Sequence, residues 1–177
     1  MSSVHDYEIS AYGEMIADRV RMDAYAGALR RKVHPGSVVL DIGTGTGILA
    51  LLACQCGARR VYAIEPGDCI QVAREVAAAN HCADRLVFIQ DVSSRVTLPE
   101  RADVIVSDLH GALPLFESHL PAIVDARQRL LAPGGALIPR QDTLWAVPVS
   151  APDLYRTTVG PYADRPFDLD MRARSPW

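Results

Sequence analysis

The stretch Leu40–Ala50, LDIGTGTGILA, constrains this 177-residue chain more than any other. The β-branched run SVVLDIG carries an acid near its end, glycines follow at 43, 45 and 47, and an apolar helix pattern starts at once. Glycines there let the backbone approach a ligand that a Cβ would exclude. A strand, a glycine turn and a helix together open an α/β sheet, in which ligands bind beyond the carboxyl ends of the strands.

The neighbouring sequence repeats this pattern. RVYAIE, RLVFIQD and ADVIVSD read as three more strands. TGILALLACQCG reads as a helix closed by Gly57, and CIQVAREVAAAN as a helix capped by Asp68. HLPAIVDARQRLLAPGG reads as a helix stopped by Pro-Gly-Gly, with ALIP and TLWAV as further strands. Upstream, Met15, Met22 and Leu29 recur at sevens and Ile16, Val20 and Ala24 at fours. That period predicts one helix over 14–32, ended by HPG at 34–36. Strands alternate with helices from 37 to about 139, which predicts a mostly parallel sheet with helices on both faces. The expected organisation is an N-terminal helical segment (1–36), a ligand-binding Rossmann-like α/β domain (37–140) and the start of a β extension (141–177).

The spacing of the turn selects its ligand. The dinucleotide fingerprint is G-x-G-x-x-G, whereas this turn reads G-x-G-x-G. Asp41 stands two residues before Gly43. A pyrophosphate about 5 Å from that carboxylate would meet a repulsion of about 3 kcal/mol at an effective dielectric of 20. A cationic, phosphate-free cofactor such as S-adenosylmethionine, which leaves as S-adenosylhomocysteine, would be attracted instead. Glu65 ends the second strand, 22 residues after Gly43, where a carboxylate accepts ribose hydroxyls and repels a 2′-phosphate. Asp91 ends the third strand and is placed for an adenine amino group; Asp108 ends the fourth. Each acid alone reads equally well as a turn former. Four in register with a glycine turn read as a cation-selective rim.

Composition narrows the field. The net charge of -3 supplies no global basic field for nucleic acid. Of the 18 cations only Lys32 is lysine, and the arginines are scattered rather than clustered. Cys54, Cys56, Cys69 and Cys82 form no C-x-x-C pair, so neither a disulfide framework nor a zinc site is expected. MSSVHDYEIS lacks the pattern of a signal peptide and no run of 18 apolar residues occurs. The expectation is a cytoplasmic protein with free thiols, no bound metal and no membrane span.

The pattern over residues 37 to about 140 resembles the class I methyltransferases, the Rossmann-like fold that binds S-adenosylmethionine. The stretch SDLHGALPLFESHL, Ser107–Leu120, further resembles the double-acid loop of the protein arginine methyltransferases. Ser107, Gly111, Glu117, Ser118 and Leu120 match that loop, as does the preceding LPERADVIVSD. A guanidinium has a pKa above about 12, and two carboxylates can grip its edges bidentately. The resemblance makes Asp108 and Glu117 that clamp. YEISAYGEMIADRVRMDAY is similar to the family's N-terminal helix, which covers the cofactor. It implies that Arg21 grips the methionine carboxylate, that Met15 packs near the sulfonium, and that Tyr7 and Tyr12 line the lid and entrance. The cofactor set then reads Arg21, Met15, Asp41, Gly43, Gly45, Gly47, Glu65 with Pro66, Asp91 with Val92, and Asp108.

This sequence departs from the family at three places. Asp108 is one methylene shorter than the family's Glu, a reach about 1.3 Å less, and misplacement of that order costs roughly a hundredfold where positioning carries catalysis. Leu109 and His110 replace the family's Trp and Met. The family's β-barrel, with its Thr-His-Trp loop and dimerisation arm, has no counterpart beyond PRQDTLWAVPV. The resemblance leaves a homodimer, and an acceptor protein or small molecule, as the expected partners. Two rival functions stay open. One is methylation of a small molecule or another side chain with His110 as proton acceptor. The other is a non-catalytic S-adenosylmethionine-binding module. Ribosomal-protein lysine methyltransferases resemble the chain at the Rossmann level, but SDLHG is not their Asn-Pro-Pro type of acceptor motif. A nicotinamide dehydrogenase is opposed by the glycine spacing and by Asp41.

Overall fold

A computed structural model describes residues 9–109, 119–164 and 166–171. Five parallel strands form one sheet: β1 (Val38–Ile42), β2 (Arg60–Ile64), β3 (Leu86–Ile89), β4 (Ala102–Ser107) and β5 (Leu131–Ile138). Their spatial order is β3-β2-β1-β4-β5. The chain therefore steps outward from β1 through β3, then returns to β1's other side as β4. The crevice between β1 and β4 is the topological switch point, where ligands of open α/β sheets bind.

The crossover helices are α3 (Ile48–Gln55), α4 (Ile70–Ala79) and α5 (His119–Arg129), preceded by α1 (Ile9–Ala17) and α2 (Arg19–Lys32). Successive strand residues face opposite sides, so each strand feeds two cores. Val39, Val61, Ala63, Val104 and Val106 pack with Leu29 of α2, with Leu49, Ala50 and Ala53 of α3 and with Ala77 of α4. Val38, Leu40, Ile42, Tyr62, Ile64 and Ile105 pack on the other face with Ala126 and Leu130. Burying each large aliphatic side chain contributes roughly 1.5–3 kcal/mol. With helices on both faces, the strands read as near-continuous apolar runs. The predicted Rossmann-like α/β fold is the observed one.

Four local expectations are corrected. The helix expected over 14–32 is two helices, because the Asp18 side chain accepts a bond from the Arg21 amide at 3.1 Å and starts α2 anew. Pro133-Gly134-Gly135 does not stop a helix. Helix α5 ends at Arg129, and these residues bulge inside β5, whose register against β4 jumps between Leu131 and Ala136. Gly134 has φ +76°, which explains why glycine serves there. Asp68 does not cap α4 with its side chain; its carboxylate accepts instead from Gln90 Nε2 at 2.9 Å. TLWAV forms no strand, and the described part of 141–171 holds only short helical segments, α6 (Pro152–Thr158), α7 (Gly160–Ala163) and a 3-10 turn at Pro166–Asp168. Contacts divide the chain into a first compact unit ending at Asp142 and a second beginning at Thr143.

Candidate functional site

Strand order carries the acids to one edge. Asp91 follows β3, Glu65 follows β2, Asp41 lies near the end of β1 and Asp108 follows β4, so the spatial sequence along the carboxyl rim is Asp91, Glu65, Asp41, Asp108.

The glycine turn is tied to the neighbouring strand. The amides of Gly43 and Thr44 both donate to the Ile64 carbonyl, at 2.9 and 3.0 Å. Glu65 completes the tie: one carboxylate oxygen accepts from the Gly45 amide at 3.0 Å and the other from the Gly67 amide at 2.8 Å. Each oxygen keeps a further acceptor site. Gly43, Gly45 and Gly47 all have positive φ, and each approaches something closely. A Cβ on Gly45 would lie 2.4 Å from the Tyr12 ring of α1, and one on Gly47 would lie 3.0 Å from Ala73 Cβ. A Cβ on Gly43 would strike the Leu109 side chain at 2.3 Å, which brings the exit of β4 against the turn. Helix α1 thus covers the glycine turn, and the Tyr12 hydroxyl accepts from Cys69 Sγ at 3.3 Å. Met15 is half-buried on the same helix, and Pro66 is half-buried beside Glu65.

Asp41 is fully buried. Its Oδ2 accepts from the Thr44 hydroxyl at 2.6 Å, while Oδ1 has no hydrogen-bond partner among the described residues. Loss of hydration raises its pKa to about 7; the Thr44 hydroxyl and the nearby Ala50 amide oppose that rise, and the Glu65 and Asp108 carboxylates add to it. Asp91 is the opposite case. It accepts from the Val92 amide at 2.7 Å and pairs with Arg95 one helical turn on, at 2.6 Å, which holds its carboxyl below the usual range. The structure thus groups Asp41, Glu65 and Asp108 around the turn, and gives Asp91 a cation of its own.

Asp108 holds a guanidinium. Nη1 of Arg21, from α2, lies 3.2 Å from its Oδ2. One turn further along α2, the Tyr25 hydroxyl donates to the carbonyl of Ser107 at 3.0 Å. Tyr25 stands inside the VRMDAY stretch, but a lone tyrosine on a helix carries no sequence signal for a contact 82 residues away. The second clamp acid, Glu117, and His110 lie outside the described residues. Among the described residues no cluster of His, Cys, Asp or Glu could hold a metal ion, and no helix is long and apolar enough to cross a membrane.

Comparison with known proteins gives this geometry a family. Residues 26–139 match the family model of the ribosomal protein L11 methyltransferase (PrmA). The protein arginine N-methyltransferase PRMT10 of Oryza sativa subsp. japonica is 46% identical over 138 residues, 77% of this chain and 36% of that protein. The probable protein arginine N-methyltransferase 6 of Arabidopsis thaliana is 37% identical over 172 residues, 96% of this chain and 39% of that protein. The crystal structure of Arabidopsis thaliana protein arginine methyltransferase 10 aligns with a TM-score of 0.70 at 38% identity, over 74% of this chain and 38% of that one. A Trypanosoma brucei PRMT1 enzyme–prozyme heterotetrameric complex with AdoHcy also aligns with a TM-score of 0.70, at 32% identity, over 73% of this chain and 42% of that one. The chain spans less than half the length of these relatives. It belongs to the methyltransferase family that the PrmA model describes, and within the class I S-adenosylmethionine-dependent fold its sheet is that of the protein arginine N-methyltransferases.

Proposed function

We propose that the protein transfers a methyl group from S-adenosylmethionine to the guanidinium of a protein arginine. The observation that carries this reading is the guanidinium already seated on Asp108, where Arg21 Nη1 lies 3.2 Å from Oδ2 at the β1/β4 crevice. A carboxylate that accepts one guanidinium there suits another. The relatives named above, with their printed activity, support the same acceptor.

The donor set around the glycine turn fits a cationic nucleoside. Asp41 presents a buried oxygen without a hydrogen-bond partner among the described residues, and Glu65 and Asp108 add negative potential beside it. A pyrophosphate would add charge to this cluster of carboxylates, and a cation relieves it. In this reading Arg21 exchanges the Asp108 carboxylate for that of the methionine and, with Met15, holds the methionine end, Gly43, Gly45 and Gly47 form the backbone cradle, Glu65 with Pro66 takes the ribose, and Asp91 with Val92 takes the adenine. When bound, the cofactor supplies an electrophilic methyl on a sulfonium. Asp108 and Glu117 accept N–H bonds from the acceptor guanidinium and hold one terminal nitrogen facing that methyl. They also draw positive charge toward the other nitrogens, and positioning supplies much of the rate. The described cysteines are all unbridged, which suits a reducing compartment such as the cytoplasm. Self-association as a homodimer is a further part of this reading.

The test incubates the chain with methyl-labelled S-adenosylmethionine and a peptide carrying a single arginine. Mass spectrometry should place one or more methyl groups on that arginine. Calorimetric binding of S-adenosylhomocysteine without transfer to any arginine peptide would replace this reading by the non-catalytic module. Methyl transfer to a hydroxyl or amine instead would favour the His110 reading.

A further inference from the structure

Helix α2 touches the exit of β4 at two points one turn apart. Arg21 reaches the Asp108 carboxylate and Tyr25 reaches the Ser107 carbonyl, an i,i+4 pair on one helix face. Ser107 is almost fully buried, and it lies beyond the last β4–β5 pair, Val106 with Ile138. The Tyr25 hydroxyl thus adds a fixed donor where the β5 ladder has run out. Its ring packs against the buried core of the α3 face, which fixes where that donor stands.

We infer that Tyr25 is a positioning residue for the acceptor clamp, its hydroxyl fixing the backbone from which Asp108 projects. The inference rests on the reading of Asp108 as a clamp acid. Asp108 is a short acid, with one methylene between backbone and carboxylate. A short side chain cannot take up a backbone displacement by changing rotamer as a glutamate can, so the placement of its carboxylate follows the placement of its Cα. An acid of this length therefore needs its main chain held. Burial, then the Asp108 charge and a side-chain hydrogen bond to that same carboxylate, push the Tyr25 phenol well above the ordinary tyrosine range, so the hydroxyl keeps its proton and remains a donor, to the Asp108 carboxylate as well as to the Ser107 carbonyl, across any working pH. Arg21, which also faces the phenol, works against that shift without reversing it, and Asp41 adds to it.

The experiment compares the full chain with Tyr25→Phe, which keeps the ring and removes only the hydroxyl. With S-adenosylmethionine and the single-arginine peptide, kcat should fall about ten- to a hundredfold, the range expected for sub-ångström to 1 Å misplacement. The Kd for S-adenosylhomocysteine should stay within about threefold and Tm within a few degrees. In an Asp108→Asn background the same change should cost little more, because the hydroxyl acts through Asp108. Unchanged kcat overturns the inference. So does a loss that follows Tm, or one that adds fully to Asp108→Asn. A wild-type chain that methylates no arginine would defeat the proposed function rather than this brace. The brace then has its own readout in the backbone amide resonances of Asp108 and Leu109. Their displacement in Tyr25→Phe supports it, and resonances that stay in place refute it.

Discussion

Asp41 makes a prediction whose size follows from its burial. In the folded protein its pKa stands at about 7, against the ordinary 3.8 that the unfolded chain would show. Between those values the folded state holds a proton that the unfolded state has lost. Stability must therefore fall as pH rises through this window, the reverse of the usual carboxylate. The slope approaches about 1.4 kcal/mol per pH unit in mid-window, and integrating it between pH 5 and pH 8 gives roughly 2.5 kcal/mol. The perturbation is Asp41→Asn, which has the same shape and does not titrate. Urea unfolding of both proteins at half-unit steps from pH 5 to pH 8 removes the contribution of all other groups by difference. The wild type should lose about 2.5 kcal/mol relative to Asp41→Asn across the range, with the loss flattening above pH 7. In the proposed function the same substitution abolishes cofactor binding. A difference between the two proteins that stays level within about 0.5 kcal/mol would mean that Asp41 is already ionised in the fold, and the account of a desolvated carboxylate would fail.

Two further outcomes are expected. Gly47 and Gly36 both carry φ near +95°, but a Cβ on Gly47 meets Ala73 at 3.0 Å while one on Gly36 meets nothing within 4 Å. Alanine at each should cost about 1–2 kcal/mol of backbone strain, with a further 1–3 kcal/mol at Gly47 alone from overpacking; thermal melts that show equal losses would reject the packing argument. Glu117→Gln should abolish methyl transfer while leaving S-adenosylhomocysteine affinity within a few-fold, read by calorimetry beside the peptide assay; full activity would remove Glu117 from the clamp.

Much of the sheet was legible because the inner strands bury both faces and so appear as uninterrupted apolar runs: VVL, VYAI and VIV carry that signal without any tertiary information. Asp18 was legible in principle as an N-cap, but the apolar period runs on across it and masks the break. The Asp91–Arg95 pair was likewise in plain view at i,i+4 spacing, yet the rim pattern drew Asp91 toward a ligand first. TLWAV has the composition of a strand, but the neighbour that would take up its hydrogen bonds is not among the described elements. Leu144, Trp145, Val147 and Val149 are instead exposed. β-propensity marks a residue as fit for a sheet and does not provide the neighbour.

The chain's order alone determined the parallel α/β sheet, the glycine turn and the row of acids, since all three depend on residue types at short, regular spacings. Tertiary structure alone decided which acids are buried, and it brought Arg21 to Asp108 across 87 residues of sequence. It also placed the Tyr25 hydroxyl on Ser107, 82 residues away. Desolvation and long-range pairing depend on what the folded chain packs around a group. A pattern of neighbours along the sequence does not contain that information.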